Sequence, residues 1–392
     1  GARRGAARAH DGTGATAERS RSGAGRAAGR AATAALIFVG AHPGALNGSG
    51  SPAQNGARPI RPPPCIARQH RITMPRVAIV MPYFQREAGI LLRTLASVQA
   101  QTVDDWMLLV VDDASPVPAR SEIADLIETD PQRYRLIEQA NTGPAGARNR
   151  GLDAVPADCE YVAFLDSDDA WSPDHLENAL TALAAGHDFY FADHLQLGAT
   201  TPAFARGGRL RPEQHRPLSA PHLYAFTADL FEQTLTGNVI GTSTVVFRHA
   251  KYPAQRFHQN LVFAGEDYLF WMELARAGAR PAFSTRCEAT YGRGVNVFAG
   301  SGWGSEHSLH RLCDEITFWR AIPRLFALTA TQRAHVRQRT RILRRSLALD
   351  LLHRLLHRKS LHPGRLLRLS RQDPAALLLL LPNLVIGKLR RS

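Results

Sequence analysis

Four stretches decide how this chain reads: Val77-Ala78-Ile79-Val80-Met81-Pro82-Tyr83-Phe84, Leu109-Val110-Val111-Asp112-Asp113-Ala114-Ser115, Asn141-Thr142-Gly143-Pro144-Ala145-Gly146-Ala147-Arg148-Asn149 and Phe164-Leu165-Asp166-Ser167-Asp168-Asp169. Three of them are short aliphatic runs that stop at polar residues. The other is a turn that follows a fourth such run. Strands buried on both faces of a parallel sheet read as near-continuous apolar runs, so strands are expected at 77–81, 107–111, 135–138 and 161–165. Amphipathic stretches at 90–99, 121–128 and 145–154 lie between them, and this alternation is the signature of βαβ units. Ligands bind beyond the carboxyl ends of strands in open α/β sheets. All four strand ends carry acids, an arginine or an aromatic.

Further along, an extended segment is expected at 189–197 and a polar excursion at 198–217. A helix near 222–235 and a strand at 242–248 follow, and the acids after the fourth strand lead into a helix at 172–183. Gly265-Glu266-Asp267 precedes Tyr268-Leu269-Phe270-Trp271, which reads as a buried helix.

Charge narrows the function classes. The 392 residues carry a formal net charge of +14, but it is unevenly placed. Residues 1–73 hold eleven arginines against Asp11 and Glu18, and residues 324–392 hold sixteen Lys or Arg against Asp350 and Asp373. The region between is therefore acidic, at −9. A nucleic-acid-binding core would show the reverse sign, so no nucleic-acid partner is expected. Cys65, Cys159, Cys287 and Cys313 form no C-x-x-C pair of zinc-ligand spacing, which fits a reducing compartment.

Each candidate has a plain structural alternative. Asp166-Ser167-Asp168 can present two carboxylates to a hard cation such as Mg²⁺ or Mn²⁺, which needs few protein ligands when a diphosphate completes its shell; an acidic turn capping the next helix is the competing reading. Asp112-Asp113 can cap a helix, or one of the two can accept from a base N–H or a ribose hydroxyl. Phe84 can stack on a base or simply fill core. Arg148, early in a helix, can hold a diphosphate or pair with a nearby acid. Glu266 and Asp267 can complement a helix dipole, or one can take a proton from an attacking hydroxyl.

The four motifs, in that order and spacing, closely resemble family 2 glycosyltransferases of the GT-A fold, a Rossmann-like, mixed but mainly parallel sheet flanked by helices. The resemblance covers about residues 76–300 and implies a nucleotide-sugar donor, with a UDP-sugar expected. It implies that Phe84, Asp112 and Asp113 hold base and ribose. It maps Arg148 onto the diphosphate, Asp166 onto ribose or metal, Asp168 onto the metal (Mn²⁺ or Mg²⁺), and Asp267, with Glu266, onto the base of an inverting transfer. Two departures stand out. The Q-x-x-R-W motif of processive polysaccharide synthases is absent, which implies a non-processive bacterial type of enzyme. Pro82 stands where many relatives have Ser or Thr, so a hydroxyl contact to the base is missing. The glycine-rich stretch 292–304 is expected to close over the donor, and His307 is a further candidate metal ligand.

Rival readings fit less well. A nucleotidyltransferase needs a Gly-rich, Arg-containing loop after the first strand, and a dinucleotide-dependent dehydrogenase needs G-x-G-x-x-G there; residues 82–86 contain no glycine. A non-catalytic nucleotide-sugar-binding module would lack the metal or base acids. The expected layout is a leader at 1–73, read as disordered or non-native with Met74 as the start, against the alternative of a targeting segment. A catalytic domain at 76–323 and a helical C-terminal extension at 324–392 follow. The extension mixes Arg and Leu at helical spacing, so it is expected to rest on an anionic membrane surface; a helical hairpin packed on the catalytic domain is the competing reading. The acceptor is expected to be a glycan or lipid-linked, and the location cytoplasmic, peripheral on the inner membrane.

Overall fold

The computed structural model describes residues 76–262, 264–294, 304–305 and 307–382. The leader, residues 295–303 of the glycine-rich stretch and the last ten residues fall outside them. The chain runs β1 (Val77–Tyr83), α1 (Ile90–Gln99), β2 (Trp106–Asp112), α2 (Arg120–Thr129), β3 (Tyr134–Glu138), α3 (Gly143–Asp153) and β4 (Tyr161–Phe164). It continues β5 (Ala170–Trp171), α4 (His175–Ala184), β6 (Phe189–Leu195), α5 (Ala203–Gly207), β7 (Arg216–Pro217), β8 (Leu223–Ala225), α6 (Leu230–Gly237) and β9 (Val246–Phe247). Last come α7 (Glu266–Arg276), β10 (Pro281–Thr290), α8 (Ser308–Leu325), α9 (Ala330–Leu356), α10 (Pro363–Gln372) and α11 (Pro374–Leu378).

The strands join one sheet in the order β3-β2-β1-β4-β9-β6-β10-β8-β7, with β5 on β10. β1 pairs in parallel with both β2 and β4, and β2 with β3. Strand order therefore reverses between β1 and β4, and a crevice opens beyond their carboxyl ends. Alternate residues feed two cores, as strand periodicity requires: Val77, Ile79, Met81 and Tyr83 face α1 and α4, whereas Ala78 and Val80 face α3 and α7. Gly151 of α3 permits that second contact, because a Cβ there would lie 2.4 Å from Val80 Cγ1.

Three expectations change. The helix placed at 222–235 splits: Leu223–Ala225 pairs with β10 as an edge strand and the helix starts at Leu230, capped by Asp229. The strand expected at 242–248 shrinks to Val246–Phe247, because Thr242–Thr244 form a 3₁₀ turn. β10 was not foreseen. In the C-terminal extension, Val336, Leu343, Leu347 and Leu351 of α9 are buried against α8 and join the core that includes Leu269 and Met272 of α7. The leucine face expected to meet a membrane is therefore covered by protein. Large apolar side chains of the extension that stay exposed are Leu325, Ile342, Leu355, Leu356, Leu367, Leu378, Leu379 and Leu381. The described residues fall within one compact unit.

Gly151→Ala should destabilise the fold by about 1–3 kcal/mol through overpacking, despite alanine's better helix propensity. Gly207→Ala, whose Cβ would meet nothing within 4 Å, is the control and should be neutral or slightly stabilising. Urea unfolding of both compares them; coincident midpoints would mean that the α3–β1 contact is looser than described.

Candidate active site

The crevice is built from the ends of β1, β2 and β4, the start of α3 and the start of α7. Arg148 lies at its centre. The helix that carries it begins Gly143-Pro144-Ala145-Gly146-Ala147, small residues that let it press against the sheet, so Arg148 is only 4% exposed. Its Nη2 donates to Asp166 Oδ1 at 2.7 Å, its Nη1 lies 3.5 Å from Glu266 Oε1, and its guanidinium lies 5.4 Å from the Phe257 ring. Nε has no hydrogen-bond partner among the described residues. Burial opposes the charge, but Asp166, Glu266 and Asp267 outweigh it and hold the guanidinium above its ordinary value.

The acids around it are crowded. Burial, then Asp166, raise the Asp168 carboxyl, and burial, then Asp166 and Asp168, push Asp169 up to about 8. Burial and Asp267 push Glu266 up to about 8 against the pull of Arg148. Burial also raises Asp267, opposed by Arg148, by the Tyr268 N–H at 2.8 Å and by the Thr242 hydroxyl at 3.4 Å. Carboxyls raised by burial and by each other favour a bound cation. Among the described residues no three of His, Cys, Asp and Glu form a cage of their own.

The strand-end acids after β2 are occupied by backbone. Asp112, 4% exposed, accepts from the N–H groups of Ser115 and Ala119 at 2.7 Å each and so caps the entry to α2. Asp113, 3% exposed, accepts from the N–H groups of Thr142 and Gly143 at 2.8 Å each, at the N-terminus of α3. The sequence left capping open for one of the two, and the structure gives it to both. Phe84 and Pro82 are half-buried at the end of β1, with Pro82 beside Val111. His307 lies at the start of α8, 6.0 Å ring to ring from His310, and is not gathered with Asp166 and Asp168.

Sequence reasoning missed several contributors. Asp169 accepts from Ser243 Oγ at 2.6 Å and from the Gly292 N–H at 3.0 Å, and Asp168 accepts from the Gly294 N–H at 2.7 Å. The strap at 292–294 thus lies on the acids, and Gly292 is required there because a Cβ would sit 1.7 Å from the Asp168 carbonyl oxygen. Tyr291 lies among Asp169, Asp166, Asp267 and Arg148, and burial with these acids pushes its hydroxyl far up. Gln85 donates to Ser167 Oγ at 3.0 Å. The D-x-D-D run hinted at Asp169, and the glycine-rich stretch expected to close over the donor contains Gly292 and Gly294; Ser243, Tyr291 and Gln85 carry no motif of their own.

An open, mainly parallel sheet whose reversal point gathers strand-end acids about one buried arginine is the arrangement of the GT-A glycosyltransferases. Residues 78–251 match the family model "Glycosyl transferase family 2". The chain is 39% identical over 227 residues to the succinoglycan biosynthesis protein ExoW of Rhizobium meliloti, covering 57% of this chain and 71% of that protein. It is 25% identical over 229 residues to TuaG of Bacillus subtilis, a putative teichuronic acid biosynthesis glycosyltransferase, covering 58% and 83%. It is 26% identical over 202 residues to the GalNAc(5)-diNAcBac-PP-undecaprenol beta-1,3-glucosyltransferase of Campylobacter jejuni, covering 51% and 60%. In some other relatives the matched part is about a third of their length, 34% and 30%. The chain belongs to glycosyltransferase family 2.

The raised Glu266 carboxyl makes stability depend on pH. Its folded-state value lies above its ordinary value near 4.5, so the folded state binds more protons between about pH 4.5 and 8. The native state therefore loses stability as pH rises through that window. Glu266→Gln should flatten this slope in metal-free buffer, leaving the variant relatively more stable at pH 8 than at pH 5. Melting temperatures across the range measure it, and parallel curves for variant and parent would contradict the assignment.

Proposed function

We propose that this chain is an inverting, non-processive glycosyltransferase that moves a sugar from a nucleoside diphosphate donor, with UDP-sugar expected, to a hydroxyl of a glycan or lipid-linked acceptor in cell-surface polysaccharide synthesis. The observation that carries the reading is Arg148, which stands between the strand-end acid Asp166 and the α7 acids Glu266 and Asp267. One side of this arginine suits a diphosphate and the other an attacking hydroxyl. The names of the relatives, two of them from succinoglycan or teichuronic acid biosynthesis and one a glucosyltransferase named for an undecaprenol-linked glycan, support the acceptor class.

In this reading Phe84 stacks on the base, while Asp112 and Asp113 hold the β2 and α3 turns that frame base and ribose. Arg148 takes the diphosphate through its free donors. Asp168, with Asp166, would hold Mn²⁺ or Mg²⁺, which when bound supplies positive charge against the leaving diphosphate. Asp267 takes the proton of the acceptor hydroxyl as the bond to the anomeric carbon forms, and its raised carboxyl brings its basicity closer to the working pH. Glu266 holds the arginine.

Asp267→Asn should lower kcat by about 10²–10⁴ with donor KM hardly changed, and the product should carry the inverted anomeric configuration. Near-full kcat, or a retained configuration, would rule the mechanism out. Asp168→Asn should weaken donor binding in Mn²⁺ and abolish turnover, because an amide is a poorer ligand for a hard cation. Nucleoside diphosphate release from a panel of sugar nucleotides reads both variants and tests the function itself.

Among the described residues no helix is long and apolar enough to cross a membrane. The exposed leucines at 355, 356, 367, 378 and 381, set beside Arg358, Lys359, Arg368 and Arg371, suit peripheral contact with an anionic bilayer instead. Leu356 is 70% exposed and Leu378 80% exposed, so Leu356→Gln with Leu378→Gln leaves the core intact. The double variant should lose the salt-sensitive sedimentation with phosphatidylglycerol vesicles expected of the parent. Equal sedimentation of the two would remove membrane contact from the proposal.

A further inference from the structure

A second cavity, of about 550 Å³, opens where the C-terminal extension meets the acceptor side of the site. Its walls are the end of α6, Tyr268 on the first turn of α7, Trp319 of α8, and His335, Gln338 and Arg339 of α9. Tyr268 directly follows Asp267, and the chain leaving the cavity at Asn238 runs three residues to Gly241 and then to Thr242, whose hydroxyl reaches Asp267 at 3.4 Å. The cavity is therefore tied at two places to the group proposed as the base.

Its chemistry is specific. Trp319, 8% exposed, forms the buried floor, with the Arg339 guanidinium over its ring at 5.6 Å and the His335 ring at 5.5 Å. Arg209 lies across Gly237, where a Cβ would come within 1.6 Å of Nη1, and is fixed there by donating to the Thr236 carbonyl at 2.6 Å. Among the described residues neither Arg209 nor Arg339 forms a salt bridge; Glu315, paired with Arg311 at 3.4 Å, also lies within electrostatic reach of Arg339. Fixed guanidinium forks recognise carboxylate or phosphate oxygens. The volume lies within the range of ligand sites, and the Gln338 amide beside the guanidinium forks can bond sugar hydroxyls.

We propose that this cavity is an acceptor subsite for an anionic glycan: a saccharide whose carboxylate or phosphate group is gripped by the exposed Arg209 and Arg339, directing its terminal hydroxyl toward Asp267. The proposal rests on the transferase reading and adds the acceptor's charge. It also gives the C-terminal helices a place in recognition, since α9 lies beyond the part of the chain that matches the family model.

The test uses the full chain and calorimetric titration with three probes: a glucuronic-acid-containing disaccharide, a disaccharide linked through diphosphate to a short prenyl chain, and neutral cellobiose. At least one anionic probe should bind ten-fold or more tightly than cellobiose. If the carboxylate probe does so, the anion is part of the glycan; if the diphosphate probe does, it is the lipid linkage. Arg209→Gln with Arg339→Gln should erase that preference, and Gln338→Glu, on the exposed face of α9, should weaken it by repulsion without removing any packing. Slow donor cleavage by water, read as nucleoside diphosphate release without acceptor, should be unchanged in these variants. Parental binding no stronger for the anions than for cellobiose, or a preference that survives both variants, overturns the subsite. Absence of diphosphate release from every donor in the parent would overturn the transferase reading, independently of the binding result.

Discussion

A guanidinium buried among carboxylates from separate elements is the constraint that organises this site. Arg148 could not be buried alone, because an uncompensated charge in a low-dielectric interior is far too costly. Asp166 and Glu266 make it tolerable, and the arginine in turn keeps Glu266 closer to ionised than burial alone would leave it. Removing one member of such a buried pair generally costs about 3–5 kcal/mol. The small residues before Arg148 and the close approach of Gly151 to Val80 serve this placement, since they let α3 lie deep against β1. The sheet reversal between β1 and β4 then fixes where Asp166 must be.

The same constraint explains why the remaining acids stay raised. Arg148 faces Asp166, Glu266 and Asp267, and Arg93 acts on Asp168 from a distance, so the cluster, which also holds Asp169, is left short of compensating cation. The backbone N–H groups of Gly292 and Gly294 and the Ser243 hydroxyl supply partial compensation by hydrogen bonding. These are the contacts a bound cation and diphosphate would compete with.

The parts of the fold legible in the sequence are those where burial and hydropathy agree. β1, β2 and β4 are sandwiched between helices, so each reads as an uninterrupted apolar run. β10 was hidden because its inner face carries Glu288, fully buried and bonded to His175 Nδ1 at 2.9 Å, Asn178 at 2.9 Å and Tyr190 at 2.7 Å. Such internal pairing reverses the usual meaning of a charged residue. β8 was lost for another reason: its three residues continue into a helical pattern and are strand only because the β10 edge lies beside them. Within the site, motif residues close in sequence were found, whereas Asp169, Ser243, Gly292 and Tyr291 meet only through the fold. Asp112 and Asp113 show the limit from the other side, since a motif acid and a cap look alike until the backbone donors around it are placed.

The C-terminal extension is best understood from its internal ion pairs. Asp350 and Arg354 are both fully buried one helical turn apart; Asp350 accepts from Ser308 Oγ at 2.6 Å and Arg354 donates to the Ser305 carbonyl at 2.7 Å. Lys359 donates to the Gly304 carbonyl, and Arg344 pairs with Asp373, which is 1% exposed. Only two acids lie beyond residue 323, and both are spent in these buried pairs, so the surplus positive charge is left on the surface. The contacts at Gly304 and Ser305 also have a consequence for the catalytic end. Nine residues separate Gly304 from Gly294, and Gly294 is hydrogen-bonded to Asp168. The stretch that joins them is thus anchored at one end to the acids proposed to hold a cation and at the other to α9. The acids proposed to hold a cation and the helices that line the second cavity are therefore joined by a short covalent path.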